Sequence, residues 1–338
     1  MNYFKFVSTS QLGLLILFTF LLLFSFTACI ALGSFDISII SLFSGENSDL
    51  EARILSEIRI PRVLLAGMVG ASLGLSGASL QGLFRNPLAD PGLIGVSAGA
   101  ALGAAAIIVF GAELVPDSVM DVFALPVSAI LGASLVISIL YWATLGFGHK
   151  GVTYMLLIGI AINALASVGI GLLTFLSTDS ELRGLTFWMM GSFGNATWQL
   201  VLPATIIIIL SFTWLLPSAR QIDVLQLGER EALRLGIDAK KLKLKVITCS
   251  AVMVGASVSL SGMIGFVGLV VPHLVRLLGG VSHNFLLLGS ALLGGTIMMT
   301  ADLISRIIIQ PAELPVGLIT SALGSPFFLW LIIRSKRL

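Results

Sequence analysis

A decapeptide occurs twice in this chain. Residues 68–77 read MVGASLGLSG and residues 253–262 read MVGASVSLSG, so eight of ten positions agree at an offset of 185. Ten residues after each closing glycine stands a proline, Pro87 after one copy and Pro272 after the other. Both copies lie inside long apolar segments. Two related membrane halves of this kind are the architecture of a transporter, in which the halves are built as repeats.

Composition fixes the solvent. The chain is 57% hydrophobic and 11% charged, where a soluble protein carries about 25% charged residues. The apolar runs are continuous and lack strict alternation, which excludes a barrel and gives an all-α polytopic membrane protein. Cys29 and Cys249 both stand in apolar runs, with no CxxC and no His/Cys cluster, so neither a disulfide nor a metal site is expected. Segment 11–32 has the look of a signal peptide, but its 22 uncharged residues are long enough to span, and we read it as a retained first helix.

Further spans are expected at 63–83, 93–110, 122–146, 152–176, 200–216, 285–305 and 316–333. Region 246–275 is 30 residues without a formal charge, too long for one span of about 20. It is interrupted by Gly262, Gly265, Gly268 and Pro272, and either one long tilted helix or two short ones would fit. Charge bias arbitrates, because Lys and Arg favour the cytoplasmic side. Splitting the region puts 14 basic residues inside and 5 outside; leaving it whole gives 11 against 8. The split is preferred, with ten transmembrane helices and both termini cytoplasmic. Spans two to five and seven to ten are then inverted-topology repeats within a single domain, 1–338. The halves are 55–175 and 242–333, and the densest charge, at 217–245, is a cytoplasmic loop.

Several stretches taken in order resemble the FecCD family, the membrane permeases of ATP-binding-cassette importers for iron chelates, haem and cobalamin. They are Arg59-Ile60-Pro61-Arg62, LQGLFRNPLADPGLIGVSAGA (80–100), WMMGSFG (188–194), LGEREALRLGI (227–237), SGMIGFVGLVVPHLVR (261–276), and ADLISR with AELPVGLITSALGSPFFLWLI (301–332). The resemblance implies a homodimer in the bacterial inner membrane, two cytoplasmic ATPase subunits that hold ATP and Mg, and a periplasmic substrate-binding protein. It implies no nucleic acid and no cofactor on this chain.

The same resemblance assigns sites. Arg59, Arg62 and Arg306, positive charges on the outer side, would receive acidic residues of the binding protein; such pairs steer docking and fix register. Asp302, four residues before Arg306, is a local partner for it. Val224 to Gly236 alternates apolar and charged residues like a pair of short amphipathic helices with Gly228 and Gly236 as stops. Its Leu227, Gly228, Glu229, Ala232, Leu235 and Gly236 would seat in the ATPase. Asn86, Pro87 and Leu88, with Val152 and Thr153, would form a cytoplasmic gate. Asn163, Thr320 and Ser321 would line the path. His273 invites a haem-ligand reading, but a lone histidine beside a proline reads more simply as packed.

The chain contains no Walker A sequence, so ATP must be bound elsewhere. It lacks HExxH and any nucleophile–base pair, so it is expected to be a transport subunit and not an enzyme. Its carboxylates avoid the middle of the spans, which argues against the rival class, an ion-coupled secondary transporter. The wording around 182–188 and 84–100 is similar to haem permeases, making haem the expected substrate, with ferric siderophores and cobalamin as alternatives.

Overall fold

The structure, a computed structural model, describes residues 8–33, 49–114, 123–146 and 151–335. Among these residues it is helical, without strands. The long elements are α1 (Thr9–Ala31), α2 (Ile60–Phe84), α3 (Val96–Leu114), α4 (Leu125–Gly146) and α5 (Gly151–Leu176). After these come α6 (Asp179–Met190), α7 (Trp198–Leu215), the short α8 (Ala219–Leu225) and α9 (Glu229–Arg234), then α10 (Ala239–Ser261), α11 (Val267–Gly279), α12 (His283–Ile307) and α13 (Val316–Ser335). Among the described residues, seven segments are long and apolar enough to cross a membrane, and α3, α11 and α13 contribute shorter apolar stretches.

Local chemistry sets the helix ends. Ser8 and Gln11 form a reciprocal capping box that starts α1. A short turn, Asp49–Arg53, and a π-turn, Ile54–Arg59, run without a break into α2, with Pro61 in its first α-helical turn. Asp238 accepts from Lys241 N–H and starts α10 seven residues before the expected Val246. That bond holds the Asp238 carboxylate below its ordinary range. Residues 239–245, the last part of the charged loop, are thus already helical. Helix α6 was not anticipated either. Its signature is Thr178-x-x-Glu181, in which Glu181 Oε2 accepts the Thr178 N–H at 2.8 Å, the return bond of a capping box.

Region 246–275 is divided as the charge bias demanded. Helix α10 stops at Gly262 (φ 69°) and α11 starts after Phe266. The repeat copies thus differ at their last residue. Gly77 remains inside α2, where an added Cβ would strike Gly268 O, whereas Gly262 turns out of α10 against Trp188 O. Ala78-Ser79-Leu80 sustains the helix in the first copy, and Met263-Ile264-Gly265 releases it in the second.

Helix α2 is the hub. It packs on α12, α10 and α11, and α10 in turn packs on α4 and α3. The α2–α12 approach is backbone to backbone: a Cβ on Gly70 would overlap Gly294 O, one on Gly294 would overlap Gly70 O, and one on Gly74 would overlap Ser290 O. Small residues at such spacing are what close helix contact in lipid requires. Helices α2 and α10 run antiparallel, since Ser72 meets Ser257 while Ser79 reaches Ser250. Ser72 and Ser257 hold the same place in the two decapeptides.

Helix α11 carries Pro272 in its interior, which frees the carbonyl of Gly268. Buried Gln81 of α2 donates to Leu269 O at 3.3 Å and Gly268 O at 3.5 Å, and accepts from Arg276 Nη2 at 3.1 Å. One amide thus makes good the backbone of a neighbouring helix. Helix α1 is part of the same body. Phe18 packs on Phe285, Cys29 Sγ donates to Met299 O, and Gln11 donates to Gly279 O at 2.7 Å. Its opposite face exposes Ile16, Phe20 and Phe24.

Gly294→Leu should lower the melting temperature in detergent, with a cost of about 2 kcal/mol or more from overpacking. Gly171→Ala, where an added Cβ meets open space, should leave it unaltered. Equal melting temperatures for the two variants would contradict the backbone contact.

Candidate functional sites at the two ends of the bundle

The three arginines expected at one end are there, but they do not present themselves as free charges. Arg59, Arg62 and Arg306 are 5%, 7% and 4% exposed. Arg62 grips Asp302 with Nε and Nη2 at 3.0 and 2.9 Å and reaches Glu313 through Nη1. Arg306 is charge-paired with the other Asp302 oxygen at 3.1 Å and donates to Cys29 O. Arg59 donates to Ile30 O and Ala31 O at 2.7 and 3.0 Å.

Physical chemistry explains the inward turn. The last carbonyls of α1 lack helical partners and carry the negative end of its dipole. Two guanidinia satisfy them, and Asp302, 1% exposed, requires a cation beside it. All three guanidinia expected at the docking end thus sit in one buried cluster. Only the Arg62–Glu313 limb opens outward, through Glu313, which is 41% exposed.

A cavity of about 800 Å³ adjoins this end, its mainly apolar walls interrupted by Glu57, Ser192, Asn195, Ser259 and Glu313. Its floor is the meeting of three chain breaks. Ser192 N–H bonds Ser261 O and Val316 N–H bonds Gly191 O, joining the ends of α6, α10 and α13. Gly191 (φ 75°) and Gly262 permit the reversal there. The sequence pointed to the WMMGSFG stretch without giving it this role.

At the opposite end lie α8 and α9. Gly228 (φ 119°) precedes α9 and Gly236 (φ 80°) follows it. Ile237 N–H bonds Ala232 O and Gly236 N–H bonds Leu233 O, the paired bonds of a Schellman cap. Ala232 is fully buried and Glu229 pairs with Lys243 Nζ at 2.6 Å. Leu227, Leu233 and Leu235 are instead 68%, 65% and 63% exposed. Neither Gly228 nor Gly236 has an atom near where a Cβ would stand. The expected coupling residues therefore divide: Ala232 and Glu229 hold the segment to the bundle, and the leucines with both glycines form an open apolar surface.

Asn86, Pro87 and Leu88 are exposed in the turn after α2. Arg85 takes the left-handed conformation that closes the helix, and Asn86 Oδ1 accepts from Leu88 N–H. Asp90 caps the next turn, Pro91–Ile94, through Gly92 N–H at 2.7 Å; burial pushes its carboxyl above the ordinary range, and that bond pulls it back. Asn163 donates to Gly92 O at 3.2 Å, and Gly159 lets α5 lie directly on Leu93 and Ile94. Its amide thus ties this turn to α5. Helix α5 begins with Val152 and Thr153, whose side chains lie outside the described residues. Thr320 is buried with its hydroxyl on Gly317 O, and Ser321 is half-buried. His273 is half-buried too, and no group of three or more potential metal ligands occurs among the described residues. Both cysteines are buried and free.

Asp302→Ala should cost about 3–5 kcal/mol, because it strands two buried guanidinia. Glu313→Ala, with its partly exposed carboxylate, should cost no more than about 1 kcal/mol. Thermal unfolding in detergent distinguishes them; equal losses would contradict the cluster.

Comparison with known proteins places this geometry. The FecCD transport family model matches residues 21–334. The hemin transport system permease protein of Yersinia pestis is 46% identical over 305 residues, 90% of each chain. The vitamin B12 import system permease protein of Vibrio parahaemolyticus is 38% identical over 288 residues, 85% of each. A solved structure of an inward-facing, metal-chelate type ABC transporter superposes with a TM-score of 0.84 at 33% identity, covering 95% of this chain and 99% of the other.

Proposed function

The chain belongs to the FecCD transport family, and from that premise we propose that it carries an iron chelate, hemin first among them, into the cell. As a member it is a multi-pass permease of a bacterial inner membrane, the transport component of an ABC importer and not an enzyme. The observation that carries the substrate reading is the 46% identity to a hemin permease over nine-tenths of both chains. Ferric siderophores and cobalamin are the alternatives, the latter favoured by the similarity to vitamin B12 permeases.

In this reading ten spans cross the membrane with both termini inside, and α2–α5 and α10–α13 are inverted repeats. The antiparallel α2–α10 contact at equivalent serines supports a two-fold relation between them. Two copies pair through the long apolar faces of α5 and α13, where Leu157, Leu165, Leu172 and Leu323 stand exposed. The path lies between the copies, and the turn at Asn86–Leu88 with the start of α5 closes it on the inside.

Two ATPase subunits, which hold ATP and Mg, engage the apolar surface of Leu227, Leu233 and Leu235. Fixed glycine turns present these leucines on an otherwise charged segment, an arrangement that suits a partner's cleft. The periplasmic binding protein docks at the arginine end. An incoming carboxylate competes with Glu313 for Arg62 and need not disturb Asp302.

Three outcomes test this reading. Proteoliposomes holding the permease, its ATPase and its binding protein should accumulate hemin with ATP and not with an ion gradient. Uptake of a ferric siderophore or cobalamin alone would overturn the substrate. Leu227→Asp with Leu235→Asp should abolish copurification of the ATPase while the permease still folds, and undiminished copurification would overturn the coupling surface. Glu313→Ala should tighten binding-protein affinity about threefold, as removal of a competing carboxylate implies; weaker binding would contradict the competition at Arg62.

A further inference from the structure

Helix α8 is fastened to the bundle in a way that the exposed coupling surface does not require. Asp223, in α8, accepts the backbone N–H of His283 at 3.0 Å and faces the His283 ring Nδ1 at 2.6 Å. His283 is the first residue of α12 and is 4% exposed. Since an ionised carboxylate only accepts, the ring proton on that side stands on Nδ1. The other ring nitrogen lies against Gly82 of α2, a fit that only glycine allows. Three residues on, Gln226 Nε2 donates to Gly82 O at 2.6 Å. Ile222 and Leu225 fill the remaining space, both buried. One carboxylate and one amide therefore hold the end of α2 and the start of α12 together. These are the two helices whose backbones touch through Gly70, Gly74 and Gly294.

Helix α9 is fastened elsewhere. Glu229 pairs with Lys243 of α10 at 2.6 Å, and the lysine side chain is only 6% exposed. A buried ammonium needs that carboxylate. Between the two fastenings run Gln226, Leu227 and Gly228, where α8 ends and the glycine takes φ 119°. The segment thus has two polar grips, one on α2 and α12 and one on α10, with a glycine joint between them.

We propose that Asp223–His283, with Gln226, and Glu229–Lys243 are the two transmission joints of this permease. Displacement of α8 against α9 by the ATPase is converted there into displacement of the α2–α12 pair against α10. These are positioning residues, acting on the path only through the helices they hold. The proposal rests on the coupling surface assigned above, and adds which membrane helices receive the movement and through which atoms.

The test uses the assembled complex in proteoliposomes, in a Cys29→Ser, Cys249→Ser background. A single Ser321→Cys on α13 reports nucleotide-dependent maleimide labelling, so the readout does not depend on knowing the substrate. Asp223→Ala combined with Lys243→Met should retain the copurified ATPase and its hydrolysis. The nucleotide-dependent change in labelling should fall about tenfold, as lost coupling of 1–3 kcal/mol implies. Asp223→Asn keeps an oxygen for the His283 N–H and should restore most of the response.

Undiminished response in the double variant would overturn the proposal. So would loss of the ATPase from the complex, which would make these residues structural, or failure of Asp223→Asn to do better than Asp223→Ala. Hemin uptake is run beside it with the unaltered joints. Its absence, with labelling still responsive, would overturn the substrate reading and leave the joints standing.

Discussion

Backbone-to-backbone contact around α2 is the constraint on which the rest of this structure depends. In lipid there is no water to expel from between apolar helices, so association relies on close van der Waals contact and internal hydrogen bonds. Gly70, Gly74 and Gly77 give α2 surfaces without side chains, and Gly294, Ser290 and Gly268 meet them from α12 and α11. Once these helices lie so close, Gln81 can reach across to the carbonyls around Pro272. The proline kink and the glycine contacts are one solution, in which a helix with a broken ladder is tolerated because its neighbour supplies the missing partner.

Charge is handled at the two ends by opposite means. At one end three arginines turn inward to satisfy the carbonyls of α1 and the carboxylate of Asp302, leaving Glu313 at the surface. At the other, Asp223 and Lys243 tie α8 and α9 to different helices while the leucines between and beyond them stay exposed. The first arrangement makes a firm platform beside a mixed apolar and polar cavity. The second makes a lever, since a force applied to the leucines reaches α2, α12 and α10 through short, buried polar contacts.

Much of this was legible in the sequence. Apolar runs mark the long helices, and the charge bias favours the division of 246–275 that Gly262 makes. Gly228 and Gly236 marked the two turns of the charged loop because left-handed backbone is nearly reserved for glycine. The capping box at Thr178–Glu181 announced α6 but was overshadowed by the apolar pattern around it. Two matters were not legible. The direction of the arginines depends on where α1 ends in space, since nothing in Arg59-Ile60-Pro61-Arg62 says that the carbonyls of residues 29–31 lie beside it. Asp223 and His283 are 60 positions apart, and no local pattern pairs them.

The architecture depends on the two decapeptides meeting at equivalent positions, antiparallel, at the centre of the bundle. The direct measurement is cross-linking of Ser72→Cys with Ser257→Cys in native membranes, after replacing Cys29 and Cys249 by serine. The structure predicts rapid oxidation to an intrachain disulfide, since the two hydroxyls it replaces are in contact. A control pair, Ser72→Cys with Ser290→Cys, should not link, because Ser290 lies against Gly74 while Ser72 faces Ser257 of α10. Failure of the first pair to link, with the variant folded, would contradict the two-fold arrangement of the repeats and the hub built on it.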